Sequence, residues 1–412
     1  MMHRAELAAK LRTMRLVFGM AGVGLSVWAV TVPYTKLRFD LDDGTLGLML
    51  LAGGSGGIIC MPFAGMAVAR WGSRAVILAS GLVYGALLPA LSMAPTPASF
   101  TALLLLYGAL FGALDVALNA QGAVIERLSG RLQMSGFHGC YSLGSLVITV
   151  LTSFLLRAGF SYATCATLDA LLVLGALTQA TKLIPNTADA PAGPAFALPN
   201  RATLVLGLCC FATFLTEGAA TDWSAIFLHF SRDMPLASAT FGYSAFAVAS
   251  AGARLLGDRV AMRLGAATLA RLGCVAAISG LLLAVLVPSG LAGIIGFGLV
   301  GIGTGNIAPL IFSAATRIKG MDAHHAVPAV VGVGYAGFLA GPALIGLIAN
   351  HLGLGSALLL EATLLAGVFC AAGAVADKKA AAFCSQKEAF PTLLRAGSVR
   401  IDAVEALGPG GP

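Results

Sequence analysis

The chain has 412 residues, of which 58% are hydrophobic and only 10% charged, with a formal net charge of +7. A soluble domain carries about 25% charged residues, so this chain lacks the polar groups to cover its own surface in water. A soluble enzyme or nucleic-acid-binding domain is excluded, and eight scattered cysteines with no Cys-x-x-Cys pair leave no metal-ligand spacing or disulfide framework.

Arg4, Lys10, Arg12 and Arg15 precede an apolar run at 14–34. Such a start mimics a signal peptide, but the many later runs make it a first membrane helix. Runs of about 20 apolar residues follow at 45–68, 75–93, 99–124, 135–157 and 161–181. The stretch 182–200 then holds four prolines and little charge, and reads as a linker. Six more runs lie at 202–229, 238–257, 267–288, 290–314, 326–350 and 355–376, and residues 377–412 read as a disordered tail. Each run is a helix, because an open strand in lipid leaves its backbone groups unsatisfied. The expected fold is an all-α membrane protein with twelve transmembrane helices in two pseudo-symmetric six-helix bundles, 1–181 and 201–376.

Lys and Arg set the orientation. With the N-terminus inside, 21 of the 25 fall at cytoplasmic loops and helix ends, and Lys36, Arg38, Arg157 and Arg232 fall on the other side. This bias predicts that linker, tail and both termini are cytoplasmic. It also leaves no cation deep in a span.

The two halves resemble each other. Trp28 and Trp223 are 195 residues apart, as are Gly47 and Gly242. The string "ARWG" ending at Gly72 answers "MRLG" ending at Gly265, and Tyr141 answers Tyr335. Parallel repeats with a site at their interface are a transporter design. On this layout the chain resembles the major facilitator superfamily. The loop "GMAVARWGSR" is similar to that superfamily's signature Gly-x-x-x-Asp-Arg-x-Gly-Arg: Gly65, Arg70, Gly72 and Arg74 match, and Ala69 stands where the acid is expected. The second-half counterpart carries Asp258 and Arg259. The resemblance implies that these loops steady the helix ends during alternating access.

The strings "GALDVALNAQG", "FHGCYSLGS" and "TEGAATDW" are similar to a bacterial inner-membrane group related to the fucose permease branch. That branch carries Glu-x-x-x-Asn in span four, matched in type and spacing by Asp115 and Asn119, and its Glu has a proton-coupling role. The resemblance therefore implies an inner-membrane protein with a proton site at Asp115. Span one lacks the acid that fucose permease carries there.

The residues point the same way. Gly108, Gly112, Asp115, Asn119, Gly122 and Glu126 share one helical stripe, which serves both packing and a carboxylate facing a cavity. An intramembrane carboxylate marks function. His138 and Tyr141 in span five lie at the depths of Asn119 and Asp115, so these four are expected to line one cavity. In span seven, Glu217 is the second candidate proton site, with Thr213 and Thr221 on its face. Asp222 lies about 7 Å further along the helix and points about 140° away. Asp222 and Trp223 fit either an outer gate or an interfacial belt, and Thr304 and Asn306 of "GIGTGNIAP" are weaker candidates. Gly337-x-x-x-Gly341-Pro342 resembles an antiporter motif but sits in span eleven rather than span five.

The leading reading is a secondary transporter of a small polar, sugar-like solute, coupled to protons. The alternative is proton-driven efflux of amphiphilic compounds, and a third is a membrane sensor that binds a solute without moving it. No enzyme motif, cofactor, metal or nucleic-acid partner is implied. The partners are a solute, a proton and the bilayer, and the chain is expected to be a monomer.

Overall fold

The computed structural model describes residues 4–129, 133–184, 200–318, 321 and 323–375. Residues 185–199 of the predicted linker and the predicted tail lie outside the described residues. Every regular element among the described residues is helical. The first half contains α1 (Arg4–Phe39), α2 (Asp43–Trp71), α3 (Ser73–Met93), α4 (Pro97–Ser129), α5 (Met134–Arg157) and α6 (Tyr162–Leu177). The second contains α7 (Arg201–Phe230), the single turn α8 (Leu236–Ala239), α9 (Phe241–Leu264) and α10 (Ala266–Leu286). It continues with α11 (Gly290–Thr304), α12 (Ile307–Ala315), α13 (Ala323–Leu352) and α14 (Leu354–Ala371).

Ten segments are long and apolar enough to cross a membrane, with α11 and α12 counted as one, Gly290–Ala315. The other two predicted spans, 14–34 and 238–257, are α1 and α9, helices of 36 and 24 residues. The expected single helix at 290–314 is two. It breaks at Gly305 and Asn306, four and three residues before Pro309, which has no N–H to donate to the carbonyl of Gly305.

Helix ends are built from local chemistry. The Asp42 carboxylate caps α2 by accepting from the Thr45 N–H at 2.9 Å and the Thr45 hydroxyl at 2.6 Å. Those two bonds hold its carboxyl below the usual carboxylate range. Gly72 ends α2 at φ 80° and Gly265 ends α9 at φ 81°, a conformation that suits a residue without Cβ. These two are 193 residues apart. Gly159 and Gly353, both at positive φ, are 194 apart, and Asp40 and Asp233, the two non-glycine residues at positive φ among the described residues, are 193 apart. The backbone repeats its irregularities as well as its helices.

Cations at the far ends of the helices repeat too. Arg38, at the end of α1, donates to the carbonyls of Ser92 and Ala94, within and just beyond the last turn of α3. Arg232, after α7, donates to the carbonyls of Ala284 and Val285 in the last turn of α10. Each guanidinium satisfies helix-end oxygens that have no intrahelical donor.

Packing follows the same pattern. α1 packs on α5 and α2 on α4, as α7 packs on α13 and α9 on α11. α3 packs on α6, as α10 packs on α14. The α2–α4 contact is backbone on backbone: a Cβ at Gly108 would overlap the carbonyl of Gly53, and one at Gly112 would lie 2.7 Å from the Gly57 carbonyl oxygen. Small residues permit this approach where hydrophobicity gives no drive between helices.

Further contacts join the halves, chiefly α2 with α13, α5 with α9 and α1 with α7. Gly47 lies against the backbone of Pro342 and Ala343, and Gly346 against that of Asp43. Ser153 of α5 bonds Ser244 of α9 at 3.1 Å, and Phe154 meets Phe241 edge to face at 5.2 Å. Lys36 pairs with Asp43 at 2.6 Å and lies over the Phe230 ring. All of these sit at the end away from Gly72 and Gly265, called here the far end. The end carrying Gly72, Arg74 and Gly265 is the basic end.

Gly108→Ala is expected to lower thermal stability in detergent, by about 1–3 kcal/mol for an overpacked contact. Gly65→Ala, where the space is open, is expected to leave it unchanged or raised. Equal effects at the two sites would remove the close α2–α4 approach.

Candidate functional site

A cavity of about 400 Å³ lies between the halves, walled by α1, α2, α4, α5, α7, α9 and α13. The cross-contacts just described close it at the far end. Tyr335, on its α13 wall, is 49% exposed.

Aromatic rings form much of the lining: Tyr107 and Phe111 from α4, Tyr141 from α5, Tyr243 and Phe246 from α9, Tyr335 and Phe338 from α13. Tyr107 is fixed in place. Its ring stacks on Tyr84 at 4.6 Å, its hydroxyl bonds that of Tyr84 at 2.9 Å, and it donates to the Gly24 carbonyl. The Tyr243 hydroxyl reaches Ser26 of α1 and Ser145 and Thr149 of α5, and Ser26 also bonds Ser145. A hydroxyl seam thus crosses from α9 to the first half at the cavity's closed end.

The cavity holds one ion pair. Nη2 of Arg254 lies 3.1 and 3.3 Å from the two Glu217 carboxylate oxygens, and its Nε donates to the Gly305 carbonyl at 3.0 Å. Both side chains line the cavity. This corrects the expectation that no cation sits deep in a span. Loop counting assigned Arg254 to a cytoplasmic end, but α9 runs ten residues beyond it, to Leu264. The break before Pro309 explains the geometry. Gly305 keeps a carbonyl without a helical donor, and Arg254 supplies one. Asn306 adds a second tie by donating to the Ala253 carbonyl at 2.8 Å.

Asp115 lies one turn beyond Gly112, the last α4 residue of the cavity wall. It is half-buried, and Asn119 donates to its Oδ1 at 3.1 Å and to its backbone carbonyl at 2.9 Å. His138 Nε2 meets Asn119 Oδ1 at 3.2 Å, and His138 is exposed. A polar chain of Asp115, Asn119 and His138 therefore leads from the cavity's edge toward the basic end. The rest of the stripe packs: Gly122 lies against Met134 and Phe137, and Glu126 accepts from the Gln133 and Met134 N–H groups at 2.6 and 2.8 Å.

The structure thus brings Tyr141, Glu217 and Asp222 to the cavity wall. Asn119 and His138 meet as their depths predicted, yet with Asp115 they form the adjoining chain and not the wall. Thr213 and Thr221 do not bond the Glu217 carboxylate, since their hydroxyls turn back to the carbonyls of Cys209 and Glu217. Trp223 is fully buried, which rules out an interfacial belt position. Thr304 is buried and bonds the Val300 carbonyl, and Asn306 serves α9, so neither lines the cavity. Of the loop residues, Gly72 terminates α2, Arg74 donates to the carbonyls of Thr181 and Leu183 after α6, and Gly65, Arg70 and Arg259 are exposed. The Asp258 side chain lies outside the described residues. Sequence reasoning missed Arg254, Tyr107 and Tyr243. Pro309 was the available signal for the first.

The profile of the Major Facilitator Superfamily matches residues 16–335. An uncharacterised MFS-type transporter of Yersinia pestis is 41% identical, covering 88% of this chain and 94% of its own length. The membrane protein MosC of Rhizobium meliloti is 32% identical over 86% of this chain and 87% of its own. Among solved structures, the nucleoside transporter NupG aligns with a TM-score of 0.70 at 14% identity, over 89% of this chain and 98% of that one. The E. coli fucose:proton symporter FucP aligns with a TM-score of 0.57 at 19% identity, over 89% and 98%. These two likenesses are of fold alone. The protein is a multi-pass membrane transporter, not an enzyme, and it belongs to the Major Facilitator Superfamily.

Proposed function

We propose that the protein is a secondary active, proton-coupled transporter of a small polar solute, working by alternating access in a bacterial inner membrane with both termini cytoplasmic. The observation that carries this reading is the central cavity, closed at the far end by contacts between the halves and adjoined by carboxylates at Asp115 and Glu217. The repeated helix ends and packing pairs support twelve spans in two six-helix bundles, 1–181 and 201–376, joined through 182–200. The Lys and Arg bias supports a cytoplasmic basic end, and in this reading the cavity faces inward. The span-four pair Asp115 and Asn119 supports kinship with the fucose permease branch and a sugar-like solute, for which the aromatic walls offer ring faces and the Ser and Thr hydroxyls offer hydrogen bonds.

Asp115 receives the proton in this reading. His138 is exposed and bonded to Asn119, which bonds Asp115, so a path from the basic end to the cavity edge exists without a buried cation beside it. Glu217 takes a proton only by releasing Arg254. The solute lies between Tyr141, Asp222 and the α9 and α13 walls. His138, Asn119, Trp223 and Asn306 support these groups from behind. The loop residues Gly65, Arg70, Gly72, Arg74, Asp258 and Arg259 act at the basic end, where the halves must meet in the opposite state.

The seven aromatic residues of the lining favour one second reading, proton-driven efflux of amphiphilic compounds. It predicts that deleting the gene sensitises cells to such compounds, and unchanged sensitivity across a broad panel would count against it.

In proteoliposomes carrying a pH gradient, Asp115→Asn is expected to abolish gradient-driven uptake while leaving solute exchange intact. Wild-type uptake by this variant would end the proton role of Asp115. A second expectation concerns the closed end. Ser153 and Ser244 are close enough for the pair Ser153→Cys and Ser244→Cys to form a disulfide. Oxidation is expected to stop uptake and reduction to restore it; undiminished transport by the crosslinked protein would refute alternating access through this contact.

A further inference from the structure

The transport reading leaves the Arg254–Glu217 pair without a role of its own. A cation within a membrane span is costly, and a cation on a cavity wall marks a ligand or a relay. Arg254 is held from behind. Nε is taken by the Gly305 carbonyl, which the α11–α12 break frees, and Asn306 ties the preceding residue. Toward the cavity, Nη2 binds the Glu217 carboxylate, and Nη1 has no hydrogen bond among the described residues. The Arg254 side chain is 42% exposed, against 14% for that of Glu217. One turn before Arg254, Ser250 lines the same wall with a hydroxyl that has no partner among the described residues. A planar fork with one free edge, fixed at its root and facing aromatic rings, matches a carboxylate.

We infer that the solute is a small ring-bearing carboxylate, which displaces Glu217 from Arg254 as Glu217 takes up one proton. This rests on the transport reading and names its solute class. The exchange conserves charge. In the empty carrier Arg254 is neutralised by Glu217. In the loaded carrier it is neutralised by the solute, and the proton, drawn from water in the cavity, sits on Glu217. The two mixed states are disfavoured. A protonated Glu217 without solute leaves Arg254 without its anion on the cavity wall, and an ionised Glu217 with solute sets two anions against one cation. Only the empty-deprotonated and loaded-protonated forms of the pair cross cheaply, which adds one proton at Glu217 for each anion to the proton carried by Asp115.

The groups around the pair are few. Cys210 and Asp222 belong to α7 itself, Tyr243 comes from α9 and Tyr335 from α13, Tyr141 lines the wall from α5, and Asp115 of α4 adjoins the cavity without lining it. α14, which also packs on α7, contributes Glu361, fully buried and absent from the wall. α11 and α12 contribute no titratable side chain.

The test is calorimetric binding to purified full-length protein in detergent. The probes are benzoate with benzamide, nicotinate with nicotinamide, and glucuronate with glucose, at pH 5.5 and 8. At least one carboxylate is expected to bind and its neutral twin not to. Its Kd is expected to rise by up to about tenfold per pH unit, the slope of one proton taken up per anion. Glu217→Gln is expected to bind the carboxylate at both pH values with that slope gone. Arg254→Gln is expected to weaken binding by about tenfold to a hundredfold, the loss of a charge-assisted bond. Should Arg254→Gln not fold, the wild-type slope and the carboxylate-to-neutral contrast still decide. Equal binding of neutral twins, a slope that survives Glu217→Gln, or no carboxylate binding at either pH would overturn the inference. pH-driven uptake of a neutral solute would overturn it and leave the transport reading standing. An anion that binds with its proton but never enters vesicles would overturn the transport reading alone.

Discussion

A backbone carbonyl without a donor is expensive inside a bilayer, where no water is at hand to satisfy it. This chain answers that constraint with cations. Arg38 and Arg232 donate to the last carbonyls of α3 and α10, Lys36 to the Leu41 carbonyl, and Arg254 to Gly305. The first three brace helix ends near the far end of the molecule. Arg254 stands instead on the cavity wall. Its oxygen lies at a helix break in the cavity wall, so its charge requires an anion, and Glu217 is that anion. The ion pair at the site thus follows from a Pro309 that interrupts a helix.

Much of the fold was legible as a sequence because lipid permits so few solutions. Apolar runs of spanning length must be helices, and each predicted run coincides with a helix, or at 290–314 with two. Polar extensions past the apolar runs were harder to see. α9 continues through Arg254, Asp258, Arg259 and Arg263, and a rule that assigns each arginine to a loop puts Arg254 outside the membrane. Hydropathy reports where a chain is greasy, not where its helix stops.

The site was legible in proportion to how local its signals are. The depth match of His138 with Asn119 follows from helical rise on two consecutive helices, and it held. Whether Asp115 lines the cavity or adjoins it depends on how α4 is rotated against α2, and that is set by the Gly53–Gly108 approach between residues 55 positions apart. Tyr107 and Tyr243 gave no motif, because an aromatic residue in an apolar run looks the same whether it packs or faces a cavity. Asn306 was noticed for its motif, but its partner, the Ala253 carbonyl, belongs to another helix.

The repeat sharpens where function must lie. Backbone features recur at 193 or 194 residues: positive-φ turns, capping arginines, and the Gly108 contact with α2 that Gly301 reproduces with α9. The chemistry does not recur. At the same offset Arg254 corresponds to Met61, and Asp115 to Ala308. Residues 22–25 of α1, opposite Glu217 in the repeat, contain no carboxylate. Duplication supplied two scaffolds that rock against one another, and rocking requires their likeness. Binding and coupling require the reverse, because a charge duplicated across the axis would face its own copy in the cavity and repel it. The ionisable groups therefore stand where the symmetry is broken, with Asp115 in one half and the Arg254–Glu217 pair in the other, so that motion between the halves changes the distance between unlike sites.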